Sequence, residues 1–155
     1  MRFNKTFLLL LITTNLFAQG NIIDSVIQKN RYILKIENGK LAGSGTGFLA
    51  QTAGNCQFIV LGEEHNAYEI PVFTTALFSL LQQTNGFQYL ALEQDPVRSR
   101  IISQQGYRGN RDSAFSLIKQ FPFSYSFATD QEVEMMADVS GLSKGRGRPV
   151  WGCDQ

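Results

Sequence analysis

Three short apolar runs divide the chain, and each ends in a polar, acidic segment. Phe58-Ile59-Val60-Leu61 leads into Gly62-Glu63-Glu64-His65. Tyr89-Leu90-Ala91-Leu92 leads into Glu93, and Pro149-Val150-Trp151-Gly152-Cys153 leads into Asp154. Apolar runs of this length without polar alternation predict strands covered on both faces, the habit of parallel sheets. Helical patterns lie between them. Val72, Leu77, Phe78, Leu80 and Leu81 supply one broad apolar face over residues 70–84, with Gly86 as a stop. Asp95-Pro96 pairs a good N-cap with a residue suited to the first helical position, and Val97, Ile101 and Ile102 follow until about Gly106. Ser113 to Lys119 predicts a short helix halted by Phe121-Pro122. The aromatic residues Phe121, Phe123, Tyr125 and Phe127 cover the core or line a pocket. Thr129-Asp130-Gln131-Glu132 is a capping box that opens a helix to about Val139, with Gly141 as its stop.

Strand, helix, strand, several helices, strand is the order of an α/β fold with a parallel sheet and covering helices. The sequence ends beside its third strand, with no helix to cover it, so residues 57–155 are expected to be the amino-terminal part of a longer domain. Residues 19–56 precede that domain as an extension. In it, Ile22, Ile23, Val26 and Ile27 fit one helical face, and Tyr32, Leu34 and Ile36 alternate with charged residues as in a short strand. Gly43-Ser44-Gly45-Thr46-Gly47 resembles a phosphate-binding loop, but it lacks the Lys-Ser/Thr ending and the strand-to-helix setting. A flexible turn or an edge hairpin is the expectation there. Residues 1–18 carry Arg2 and Lys5, then an apolar stretch from Phe7 to Phe17, then Ala18 before Gln19. That is the layout of a cleaved secretory signal. The apolar stretch is shorter than the roughly 20 residues of a spanning helix. The expected location is therefore exported, periplasmic or secreted, with no stable membrane anchor after cleavage.

Bulk properties narrow the picture further. The chain has 155 residues, a formal net charge of +1 and 17% charged residues. That near-neutral balance gives no support to a nucleic-acid partner. Export permits disulfides, yet Cys56 lies at the amino end of the first expected strand and Cys153 at the carboxyl end of the last. Parallel strands would hold these sulfurs roughly 15–20 Å apart, beyond the about 7 Å between Cα atoms that a bridge tolerates. No bridge between them is expected.

Ligands bind at the carboxyl ends of strands in open parallel sheets, and all three strand ends carry reactive groups. His65 is the only histidine, able to act as base, acid or metal ligand near neutral pH. Glu63 shares its side-chain parity in extended geometry, so Glu63 is expected in the site and Glu64 in solvent. Glu93 and Asp154 directly end apolar strands, where a carboxylate is either neutralised or used. Glu69, four residues after His65, orients the imidazole or closes an Asn66-Ala67-Tyr68-Glu69 capping box. Arg98, Arg100, Arg108 and Arg111, and Lys144, Arg146 and Arg148, read chiefly as solvated charge that could also receive an anion. No Gly-x-Ser-x-Gly elbow is present, so a serine triad is not supported.

Leu61-Gly62-Glu63-Glu64-His65 with Glu69, then Ala91-Leu92-Glu93, then Val150-Trp151-Gly152-Cys153-Asp154 resembles the erythromycin esterase-like and ChaN-like superfamily over residues 57–155. Gly62-Glu63-x-His65 is one residue shorter than the Gly-Glu-x-x-His of the esterase branch, and closer to ChaN-like haem-binding proteins and Tiki-type metalloproteases. The Glu69 spacing and the Gly152-x-Asp154 ending look more like the esterase branch. For an esterase-like member the resemblance implies ester hydrolysis of a small-molecule substrate without a required cofactor. His65 would then be the general base, with Glu63 and Glu93 orienting it and the water, and Glu69 and Asp154 nearby. For a ChaN-like member it implies haem or iron, and a divalent metal is the third possibility. Sites of this family use further residues from later strands, including a second histidine, which this sequence lacks. A non-catalytic remnant is the remaining alternative.

Overall fold

The computed structural model describes residues 22–62, 64–107, 111–120, 129–143 and 148–154. The expected signal segment, Glu63, Arg108, the aromatic cluster at 121–127, Lys144 and Arg146 lie outside these residues. Two compact units divide the chain, Met1–Ile33 and Leu34–Gln155.

In the first unit, residues 22–29 form helix α1. Ile22, Ile23, Val26 and Ile27 fall on one side of it, as their spacing predicts, and all four are exposed. Asn30 ends the helix, its backbone N–H and its side-chain amide both donating to the Val26 carbonyl.

The second unit opens with an antiparallel hairpin, β1 (Lys35–Glu37) and β2 (Lys40–Ala42), in which Glu37 faces Lys40. Asn38 and Gly39 make the turn with φ of 51° and 72°. Positive φ at both central positions is the turn whose twist matches the flanking strands, and Asn-Gly is its preferred pair. The expectation of a turn or hairpin in the glycine-rich stretch 43–47 is corrected. The hairpin turn lies upstream at Asn38-Gly39, and helix α2 (Gly45–Ala53) begins inside the glycine run. Asn85 donates a side-chain N–H to the Ala50 carbonyl at 3.0 Å, fastening α2 to α3. Ala53, Leu77 and Leu81 form a small core with Leu41, Leu49, Phe73 and Phe87 around it.

Helix α3 (Glu69–Asn85) stops at Gly86, which takes the left-handed conformation (φ 74°) that glycine adopts without steric cost. Its N–H donates to the Leu81 carbonyl. Strand β3 (Leu90–Leu92) follows, then α4 (Pro96–Tyr107), α5 (Arg111–Gln120), α6 (Asp130–Leu142) and β4 (Val150–Gly152). Asp95 caps α4, its Oδ1 accepting from the Arg98 N–H at 2.7 Å. Thr129 and Glu132 close the capping box of α6, the Thr129 N–H donating to Glu132 Oε2 at 2.9 Å. Gly141 does not stop α6, which continues to Leu142.

The main core lies where α3, α4, α5 and α6 meet β3 and β4. Phe78, Ile102, Ala114, Val133, Met135, Met136, Val139 and Val150 are buried there, with Leu90, Leu92 and Phe115 packed on them. Ser99, Ser103 and Ser140 are buried among the helical residues. The Ser140 hydroxyl donates to the Met136 carbonyl at 2.6 Å and shares a 2.9 Å bond with Ser103, linking α6 to α4. On the surface Arg111 bonds Asp138 and Glu134, so one guanidinium joins α5 to α6.

The fold is α/β, and the parallel arrangement is present as one short pair. β3 and β4 run parallel with Leu90 opposite Val150, Ala91 opposite Trp151 and Leu92 opposite Gly152, and α4, α5 and α6 make the crossover between them. A β-carbon on Gly152 would stand 2.4 Å from the Gln94 carbonyl oxygen and 2.6 Å from that of Asp95. Only a residue without a side chain lets β4 approach that backbone.

The first expected strand is a correction. Residues 57–61 have no strand pairing. Phe58 and Val60 are 84% and 93% exposed, and Ile59 and Leu61 are also exposed. A strand is stabilised by the neighbour that accepts its backbone bonds and by the layers that cover its faces, and an apolar run has neither by itself. The second expected strand is likewise shorter than its apolar run, beginning at Leu90 where pairing with β4 begins.

Candidate functional site

The carboxyl end of β3 borders a cavity of about 170 Å³. Its walls come from two separate stretches of chain, Glu64–Tyr68 with the first turn of α3, and the amino-terminal turn of α6. Leu92, the last residue of β3, and Met135 complete the lining.

Local turn chemistry presents His65. The Ala67 N–H donates to the Glu64 carbonyl at 3.3 Å, closing a turn in which Asn66 sits at φ 66°. Asparagine tolerates that left-handed conformation better than most residues. His65 precedes it at the turn's crest, exposed and lining the cavity. Tyr68 stands immediately before α3 without capping it by side chain, so the Asn66–Glu69 capping box does not form. Pro71 falls in the first turn of α3, where a missing N–H costs nothing, and packs buried against the cavity.

The opposite wall is electrostatically defined. Thr129, Gln131 and Glu132 line it, so α6 turns its amino-terminal end toward His65. That end carries the partial positive charge of the helix dipole, and its capping box already pairs the Thr129 and Glu132 N–H groups, leaving those of Asp130 and Gln131 outside the box. Arg98 on α4 stands in the field of Glu132 and Asp95. Burial pushes its pKa below the ordinary arginine value, and those two carboxylates oppose that effect. An arginine still keeps its charge under such conditions.

Of the residues proposed from sequence, His65 reaches the cavity, and Glu63 lies outside the described residues. Glu64, expected to be a solvated neighbour, lines the cavity while remaining exposed. Glu69 is exposed as the first residue of α3 and is not part of the lining. Glu93 and Asp154 both follow the carboxyl ends of the paired strands, so the parallel register brings them to the same end. The Cys153 N–H donates to the Leu92 carbonyl at 3.0 Å and the Asp154 N–H to the Gln94 carbonyl at 3.2 Å, which fixes this end of the sheet. Both carboxylates are exposed and neither lines the cavity. Water solvates them, so burial no longer argues for their use.

Tyr68, a candidate haem ligand under the ChaN-like reading, lines the cavity, as do Gln131 and Glu132, which the sequence marks only as part of a helix cap. The capping box identifies Glu132 as the third residue of a helix. No local signal says that this helix end faces His65, more than sixty residues away in the chain.

Among the described residues, no three His, Cys, Asp or Glu side chains are grouped to hold a metal ion. Cys56 and Cys153 are separate, exposed thiols. Their Sγ atoms lie 3.4 Å from the Thr52 carbonyl and 3.0 Å from the Leu92 carbonyl. No described helix is long and apolar enough to cross a membrane.

Neither family models nor curated proteins nor solved structures give a match.

Proposed function

We propose that this chain is an exported hydrolase-like α/β unit, part of a parallel-sheet domain, in which His65 activates water to attack an ester or similar acyl bond. The observation that carries this reading is the shared cavity. The only histidine of the sequence and the amino-terminal turn of α6 face each other across it, at the carboxyl end of β3.

The imidazole accepts a proton as the water oxygen bonds to the acyl carbon, and the carbonyl oxygen gains the negative charge. The same proton passes to the departing alkoxide when the tetrahedral intermediate collapses. Charge developing on the carbonyl oxygen is stabilised by the dipole at the start of α6 and by the first-turn N–H groups outside its capping box, those of Asp130 and Gln131. Glu64 and Tyr68, beside His65 on the cavity wall, are placed to orient substrate or water. The likeness of Gly62-Glu63-x-His65, Leu92-Glu93 and Gly152-x-Asp154 to the erythromycin esterase-like group supports the same chemistry, and the pattern of residues 1–18 supports export.

The cavity size bears on the haem alternative. About 170 Å³ falls below the roughly 300–1,000 Å³ of pockets for drug-sized ligands. A small acyl group is therefore the better match to the described cavity beside His65.

Hydrolysis of a short-chain chromogenic acetate ester by the purified protein tests the proposal. His65→Ala is expected to lower the rate by about 10²-fold or more, the usual contribution of a positioned general base, with an unchanged far-ultraviolet circular dichroism spectrum. An unchanged rate would overturn the mechanism.

A further inference from the structure

We propose that residues 57–61 are a strap that zips onto the free edge of β3 as a third parallel strand, in equilibrium with the open position seen here. This goes beyond the chemistry assigned to His65 and does not depend on it.

The free edge is defined by the bonds on the other side. The Leu90 N–H donates to the Pro149 carbonyl at 2.8 Å, and the Leu92 carbonyl accepts from the Cys153 N–H. Leu90 and Leu92 therefore direct their backbone groups to β4. Alternation along a strand turns those of Tyr89 and Ala91 to the opposite edge. That edge borders an open groove of about 480 Å³ that Cys56, Gln57, Phe58, Ile59 and Leu61 also line. Strap and edge thus share one groove.

The strap has the composition to close it. Residues 56–62 contain no charge and no proline, and Phe, Ile and Val are strand formers. Edge strands that stay open normally carry charge, proline or a bulge to prevent pairing, and this one has no charge or proline. Leu77, Phe78 and Leu81 of α3 and Phe87 also line the groove; the three α3 residues are already buried, so the apolar surface that closure removes from water is chiefly that of the strap itself. Tethering at both ends keeps the entropic cost small. The Cys56 N–H is held by the Ala53 carbonyl at 3.0 Å, and the Glu64–Ala67 turn holds the other end. Closure would bring the segment leading to His65 alongside β3 and β4, and place three strand ends at one rim.

Amide hydrogen exchange measured residue by residue on the 155-residue chain tests this. Closure predicts that the Tyr89 and Ala91 amides exchange at least tenfold more slowly than in an unstructured chain, independently of protein concentration. Val60→Pro, which removes a backbone donor and fixes φ in the middle of the strap, should return both to unstructured rates while amides 135–139 of α6 stay protected. If Val60→Pro also exposes α6, Ile59→Asp supplies the same measurement by placing a charge in the groove. Unprotected Tyr89 and Ala91 in the native chain would overturn the strap, as would protection that survives both variants. Protection that grows with protein concentration would also overturn it, by showing that a second copy fills the groove. None of these outcomes alters the ester-hydrolysis test on His65.

Discussion

Two apolar runs of nearly the same character meet different fates in this chain. Pro149-Val150-Trp151-Gly152 becomes strand β4, with Val150 buried in the main core. Phe58-Ile59-Val60-Leu61 remains unpaired and exposed, although it has the stronger strand-forming residues. The difference lies in what stands beside each run. β4 lies against β3, with α4 and α6 packed on it. The run at 58–61 has a partner edge within reach and a groove between. Apolar character licenses burial, and only a neighbour at hydrogen-bonding distance converts it to a strand.

The sharpest test of this contrast puts truncations in both regions. Met136→Ala, at a fully buried site of the main core, is expected to cost about 2–5 kcal/mol in urea denaturation, from lost transfer energy and the cavity left behind. Val60→Ala is expected to cost under about 0.5 kcal/mol, as for other exposed positions. Comparable losses would mean that the 57–61 region is packed as firmly as the core. Gly152→Ala probes why β4 pairs where the strap does not. Its new methyl would press on the Gln94 and Asp95 carbonyls, and the expected loss is about 1–3 kcal/mol with weakened exchange protection at Leu90. A neutral effect would show that β4 can shift at no cost. The smallest effect is expected from Thr129→Ala, which removes a hydroxyl from the cap of α6. About 1 kcal/mol should be lost. Ester hydrolysis should also fall modestly, because the same turn forms the wall opposite His65. Loss of stability with full hydrolysis would separate the cap from the site.

The helical signals were legible because they are local. Asp95-Pro96, the Thr129–Glu132 box and Gly86 each act on backbone groups within a few residues of themselves, and each marks its helix end in the structure. The Asn38-Gly39 turn was equally legible by the same logic, and the neighbouring glycines drew attention away from it. The site was legible only in part. His65 in a turn after an apolar run could be read from chain order, because such a turn exposes whatever follows the run, although that run forms no strand. Glu64 is exposed as expected and also borders the cavity, and Glu63 lies outside the described residues.

Sequence alone thus determined where α3, α4 and α6 start and that one histidine follows an apolar run. Tertiary structure decided which apolar runs became strands and which helix end faces that histidine. The reason is range. Caps, turns and periodicity are satisfied within about a turn of chain, whereas a strand edge and a cavity wall require partners brought from distant positions, and their spacing is set by how the helices pack.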